Sequence, residues 1–393
     1  MTGSTLGSRI RTLRGKVLTQ QYLADAAGVS VDLIRKLEQG ARQTASITSL
    51  QKIARALDVD VAELLGKPRS LPSTHPNAGT VAIRRALTPV DDLLDEMPVD
   101  VDVLGLRDAR RSVEYAWGAY WSGRYDVLST VLPGALPQLR ATVVTDDRAE
   151  VHDLLARLYW VTACTLVQLG QTDSAYLAIR QALHAARTSE DELLYATLCG
   201  SLSWQLLIQG RYEEAHAVAV KAAVTIEPQG RVEPPHLSAY GSLILTGATA
   251  AGRAGWLGEA EHLLSTADEV AQRVGGDRHD YETYFGPSQV VMQRVDIDVV
   301  TERYEKALTA AKRMPERVGL PLAARARHLT DQALAHSRLG QSDRALDALL
   351  TAERLGPDWI TYQTLPRMIV SELLHRDRRT PLRGLARRLG VQD

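Results

Sequence analysis

The chain is poor in cysteine, with two in 393 residues, and carries a single phenylalanine. Cys164 and Cys199 both lie in apolar stretches of helical pattern. They offer neither a disulfide framework nor a metal-ligand spacing, and the expectation is buried free thiols. Long apolar runs are also lacking. None approaches the roughly 20 residues of a membrane span, and the opening residues have no signal-peptide apolar region, so a cytoplasmic protein without a membrane partner is expected. The ten histidines form no HExxH spacing, and no Gly-rich phosphate loop follows a strand. No catalytic residue, metal site or cofactor is therefore expected, and the chain is not read as an enzyme. His279-Asp280, with Tyr281, Tyr284 and Phe285 nearby, falls in a loop where no motif supports a nucleophile. Excess charge is missing too: the formal net charge of −1 excludes a polycation.

What is present is an ordinary globular composition, 45% hydrophobic and 24% charged, with length for two or three domains. Charge is unevenly placed. Residues 1–57 carry nine Lys and Arg against Asp25, Asp32 and Glu38, a net of +6 at the head of a near-neutral chain. This is the footprint of a nucleic-acid contact confined to one domain.

Within that head, Thr19 to Gly40 reads as two short helices and a tight turn. Leu23, Ala24 and Ala27 form the inner face of the first helix. Gly28 can take a left-handed conformation at the turn, and Ser30 is suited to cap the second helix. Ile34 and Leu37 then face inward, while Val31, Asp32, Arg35 and Lys36 point outward. This is a helix-turn-helix, which lays its second helix in a DNA major groove. The spacing from Gln20 through Ala24, Gly28, Val29, Ser30, Ile34 and Leu37 to Glu38-Gln39-Gly40 resembles the Xre/Cro phage-repressor family. The resemblance places Gln20 on the DNA backbone and Val31, Asp32 and Lys36 at base edges. It makes Arg35 and Arg42 phosphate partners, and Ser30 belongs to the same DNA-binding set. Asp32 could accept from a cytosine amino group but also repels phosphates.

A first helix over Ser4 to Gly15, with Leu6, Ile10 and Leu13 inside, precedes the motif. A helix over Ala45 to Leu57 follows, and Asp60 caps a last one with Val61, Leu64 and Leu65. Residues 1–66 thus make a five-helix domain. Lys67 to Ala78, with three prolines, is a linker, and connecting helices through Val81 to Met97 complete residues 67–100.

From about Leu106 to Gly356 the chain repeats. Five residues after Gly170, Gly210, Gly255, Glu302 and Gly340 stand Ala175, Ala215, Ala260, Ala307 and Ala345. Seven further on stand Ala182, Ala222, Ala267 and Ala352, with Met314 the exception. Residues seven apart share a helix face, and alanine there lets a paired helix come close. Stretches such as Gly210-Arg211-Tyr212-Glu213-Glu214-Ala215 resemble the tetratricopeptide (TPR) repeat, here with turns 38 to 47 residues apart. An earlier unit has Gly123-Arg124-Tyr125 but Leu128 in place of alanine. The expected fold is all-α: a five-helix, phage-repressor-like helix-turn-helix domain followed by a right-handed TPR-like α-solenoid of six helical pairs over residues 101–393. Thr380-Pro381 opens a terminal helix with Leu382, Leu385, Ala386 and Leu389 on one face. Its flanking arginines (Arg376, Arg378, Arg379, Arg383, Arg387, Arg388) read as a solvated cap of the solenoid, with a second DNA contact the alternative.

The whole layout resembles actinobacterial Xre-type regulators with a C-terminal TPR region, including Phe285-Gly286-Pro287-Ser288 and the closing Arg-rich helix. It is also similar in layout to the peptide-responsive HTH–TPR regulators of Gram-positive quorum sensing.

In a TPR solenoid the first helix of each pair lines the concave wall. Standard register puts Arg110, Arg157, Thr197, Ser242, Gln289 and Arg327 there, a polar track suited to a carboxylate or phosphate. The same count adds Trp117, Trp160 and Trp204 as flat walls, with Asp296 among them, giving a peptide or small-molecule groove. The competing account has the tryptophans packing between repeats and the arginines pairing with nearby acids. The expectation is a homodimeric, sequence-specific transcriptional regulator on a double-stranded DNA operator, with a peptide or small-molecule effector in the groove. The alternative is a DNA-tethered TPR scaffold that recruits or sequesters a protein.

Overall fold

Each helical pair turns on a residue of positive φ. In the computed structural model these are Gly123, Gly170, Gly210, Gly255, Glu302 and Gly340, with φ between 62° and 83°. The structure describes residues 5–15, 18–42, 45–57, 59, 64, 78–89, 101–375 and 379–391. Among these are α1 (Leu6–Arg14), α2 (Gln20–Ala27), α3 (Val31–Glu38), α4 (Ile47–Ala56) and α5 (Ala78–Leu87). The fifth helix expected in the first domain lies outside the described residues except for Leu64, which is helical and buried. The linker also lies outside them up to Ala78, as do residues 90–100 of the connecting helices.

Six antiparallel pairs follow: α6 (Leu106–Trp121) with α7 (Tyr125–Thr145), α8 (Ala149–Gln168) with α9 (Thr172–Thr188), and α10 (Glu192–Ile208) with α11 (Tyr212–Thr225). Then come α12 (Pro234–Ala254) with α13 (Leu257–Val274), α14 (Pro287–Val300) with α15 (Tyr304–Ala311), and α16 (Leu322–Arg338) with α17 (Ser342–Leu355). The repeat alanines are where close packing needs them: Ala175, Ala182, Ala215, Ala222, Ala260, Ala267, Ala307, Ala345 and Ala352 are all buried. Helix α7 is long and apolar enough to cross a membrane by length and composition, which revises the expectation that no run comes near that limit. In the fold its Leu128, Leu132, Leu136 and Leu139 are buried in the core that Ile83 of α5 also joins.

Between α13 and α14 the chain forms an antiparallel hairpin, β1 (Arg278–Asp280) and β2 (Thr283–Phe285), pairing Arg278 with Phe285, His279 with Tyr284 and Asp280 with Thr283. Its two loop residues, Tyr281 and Glu282, both take left-handed φ, 48° and 52°. Such two-residue turns normally use Asn-Gly or Asp-Gly, so this one holds side chains where glycine is preferred. The base is anchored. Asp277 accepts from the Ser288 amide at 2.9 Å and from the Gly319 amide at 2.7 Å. Phe285 lies against Gly241 of α12, where a Cβ would stand 2.1 Å from the ring.

After α17 come α18 (Pro357–Tyr362), α19 (Thr364–Leu374) and α20 (Thr380–Arg388). Here the last turn of the solenoid returns to the first. The Tyr362 ring stands 5.2 Å from that of Tyr125, Gln363 Nε2 is 3.5 Å from Gln168 Oε1, and Trp359 packs on Gly123. Met368 of α19 packs on the core of the helix-turn-helix domain. In α20, Leu382, Leu385 and Ala386 are buried, while Arg388 binds Glu353 and Arg379 binds Asp343 of α17. Arg376 and Arg378 lie outside the described residues.

Candidate functional site

Two places bring chemistry-bearing side chains together. The first is the exposed side of α3. Thr19 caps α2 by accepting from the Tyr22 amide at 3.0 Å, Gly28 ends it at φ 59°, and Ser30 caps α3 by accepting from the Leu33 amide at 3.2 Å. Ile34 and Leu37 are buried, which turns Asp32, Arg35 and Lys36 outward with Ser30 at the helix start and Arg42 just beyond the end. Val31 differs from expectation: it packs half-buried against the domain core. The Asp32 carboxylate accepts from Lys36 Nζ at 2.7 Å, both side chains more than half exposed. That hydrogen bond holds Asp32 below its ordinary value. The Asp32 charge is therefore partly neutralised within α3 itself by Lys36.

Gln20, placed by the resemblance on the DNA backbone, donates its amide inward to Glu38 Oε2 at 2.8 Å. Arg14 grips the same carboxylate through Nε at 2.7 Å and Nη2 at 3.0 Å. Burial alone would raise Glu38, but the bonds from Arg14 and Gln20 outweigh it and hold the carboxyl low. The result ties α1, α2 and α3 at one point. Nearby, Gly7 of α1 meets the Leu37 carbonyl so closely that a Cβ would lie 1.8 Å from the oxygen.

The second place is a chamber of about 260 Å³ on the concave side of the solenoid. All six inner helices contribute. From the residues singled out in the sequence, Trp117, Trp160, Trp204, Thr197, Ser242 and Gln289 line it. Trp121 and Tyr120 of α6 and Glu282 and Tyr284 of the hairpin join them, none of which the repeat register indicated. The aromatic rings interlock: Trp117 meets Trp160 edge-on at 5.1 Å, Trp121 stacks by Trp117 at 5.8 Å, and Tyr284 meets Trp121 edge-on at 5.1 Å. Such pairs fill space and hold one another's orientation. The buried indole N–H groups of Trp117 and Trp121 have no acceptor in the protein. Cys164 also lines the chamber, and burial pushes its thiol up to about 12, so it stands there as a neutral group.

The arginines of the same register stand elsewhere, on acids. Arg110 pairs with Glu150, and Arg157 pairs with Asp153 at 2.8 Å and Glu282 at 3.3 Å. Arg327 pairs with Asp296 at 2.7 Å and Asp331 at 3.2 Å. Asp296 also receives both Nη groups of Arg253, at 2.7 and 3.1 Å, so it sits in a buried ionic cluster outside the chamber lining. Burial would raise Asp296, yet Arg253 and Arg327 hold it low, while Asp331 is pushed up by burial and by the neighbouring Asp296 carboxylate against the pull of Arg327. The proposed track of arginines open to a ligand is therefore a set of ion pairs, and the polar residues that reach the chamber are neutral apart from Glu282. Among the described residues no group of His, Cys, Asp or Glu is placed to hold a metal ion.

No curated protein matches the chain. Among solved structures, a complex of Bacillus thuringiensis PlcR with the peptide PapR7 and DNA shares 13% identity, covering 79% of this chain and 95% of that one at a TM-score of 0.37. Pseudomonas aeruginosa pilF shares 18% identity over 65% of this chain and 97% of that one, at a TM-score of 0.35. Residues 10–64 match the helix-turn-helix family model, and this N-terminal segment is an Xre/Cro-type helix-turn-helix, a DNA-binding domain.

Proposed function

We propose that the protein is a sequence-specific transcriptional regulator that binds a two-part operator as a homodimer and responds to a small effector held by its solenoid. The reading is carried by one observation: the outward side of α3 presents Ser30, Asp32, Arg35 and Lys36 on a basic domain, where a recognition helix meets base edges and phosphates. Two such helices must stand about 34–36 Å apart to enter successive major grooves. Effector binding would change that separation by shifting the solenoids of the dimer relative to each other, with residues 67–78 as the joint.

The test is titration of DNA flanking the protein's own gene, with footprinting, by the full-length chain and by Arg35→Ala with Lys36→Ala. Protection of two half-sites by the wild type, and its loss in a variant that unfolds at the same temperature, is the expected outcome. Protection of one half-site by a monomer removes the dimer, and equal binding by the double variant removes α3 as the reader.

A further inference from the structure

The hairpin occupies the middle of the concave side. Its tip reaches α8, where Arg157 Nη1 donates to Glu282 at 3.3 Å and the guanidinium carbon Cζ lies 5.6 Å from the centre of the Tyr281 ring. Its second strand reaches α6, where Tyr284 meets Trp121. Meanwhile the ends of the solenoid touch through Tyr125 and Tyr362. An extended peptide spans about 3.3–3.6 Å per residue and needs an open track. What remains beneath the hairpin is a chamber of about 260 Å³, below the roughly 300–1,000 Å³ typical of drug-sized sites.

The lining narrows the chemistry. Four of the chain's six tryptophans, Trp117, Trp121, Trp160 and Trp204, bound the space. Glu282, the charged side chain among the lining residues, is already matched by Arg157. A charged ligand would lose its hydration there without meeting a counter-charge. Gln289 and Gln293 bring neutral side-chain amides with N–H donors to the lining. A carbonyl or ether oxygen on a flat ring can accept from such an amide, which orients the ring.

We infer that the chamber binds a compact, uncharged, planar aromatic molecule bearing hydrogen-bond acceptors, and that the hairpin 278–285 closes the groove to extended peptides. This rests on the regulatory reading only for its purpose, since the site itself is defined by its walls. The tip supports the assignment. Two side chains are held at left-handed φ, a strained arrangement that persists where the surroundings enforce it.

The experiment uses the full-length chain and Prodan, a neutral naphthyl ketone whose emission moves to the blue on leaving water. Expected are one Prodan per chain and quenching of tryptophan emission on binding. Affinity should fall at least tenfold in Ala324→Trp, which narrows the chamber at its rim, and in Trp204→Ala, which removes a wall. A blocked, uncharged heptapeptide pool should not compete. Absence of saturable Prodan binding, unchanged affinity in both folded variants, or displacement by the heptapeptides overturns the assignment. Binding with no effect on DNA affinity supports the chamber and counts against its coupling to DNA. Intact operator binding with no Prodan bound sinks the chamber and leaves the DNA-binding reading standing.

Discussion

Arg157 of α8 and Glu282 of the hairpin, 125 positions apart in sequence, meet at 3.3 Å beside the chamber. Their side chains are 18% and 19% exposed, so the pair lies between the weak surface bridges and the strong buried ones. Burial raises Glu282 even against the pull of Arg157. In Arg157→Ala, burial acts unopposed and the hairpin loses its clasp, at a cost of about 2 kcal/mol. Hydrogen exchange of the 278–285 amides should quicken while the α12 and α13 amides keep their protection. Unchanged exchange in the hairpin would show that the anchor at Asp277 suffices.

Glu38 offers a second test. In Glu38→Gln, Arg14 loses a bidentate partner whose own side chain is only 3% exposed. Hydrogen bonds to charged groups are worth about 1.5–3 kcal/mol, and a loss of that order should appear in the unfolding of the DNA-binding domain. The solenoid transition, followed by tryptophan emission, should not move, because all six tryptophans lie beyond residue 100.

Glu302 stands where the other repeats carry glycine, with φ 62° and its side chain exposed. Left-handed backbone costs an ordinary residue about 1–2 kcal/mol, against about 0.5–1 kcal/mol for the added freedom of glycine in the unfolded chain. Glu302→Gly should therefore stabilise the protein by about 0.5–1 kcal/mol, read as a raised midpoint in urea. The reverse change, Gly210→Glu, should lower it.

His328 is buried, and burial lowers its pKa to about 4. The unfolded chain then binds a proton that the folded chain refuses, so stability is complete above pH 6.5 and is lost as pH falls toward 4. The loss is on the order of 3 kcal/mol over that window. Asp331, pushed upward, acts in the opposite sense, but it is common to both proteins in the comparison. His328→Gln should flatten the fall in unfolding midpoint between pH 6.5 and 4, and an unchanged slope would remove His328 as its cause.

The helix-turn-helix and the repeat period were legible because local chemistry dictates them. Ser30 caps, Gly28 turns, and alanine at every close crossing leaves a seven-residue mark. The chamber was half legible for the same reason: Thr197, Ser242, Gln289 and three tryptophans follow from helical register alone. The arginines misled because register gives the direction of a side chain and not its partner. Asp153 and Asp331 stand four residues from Arg157 and Arg327, the helical ion-pair spacing that the sequence does carry, whereas Asp296 comes from the neighbouring repeat, where no local spacing marks it. The hairpin was invisible because Tyr281-Glu282 is a poor turn sequence, stabilised by contacts with α8 that no local pattern reports. Gln20 shows the same limit: its match to the motif is legible, while the bond from its amide to Glu38 is a contact between helices that the motif does not report.

At Gly7 the first helix rests directly on the Leu37 carbonyl of α3, with no side chain between them to compress or swing. Any side chain at position 7 would have to push α1 off α3, so glycine there sets how near the two helices stand.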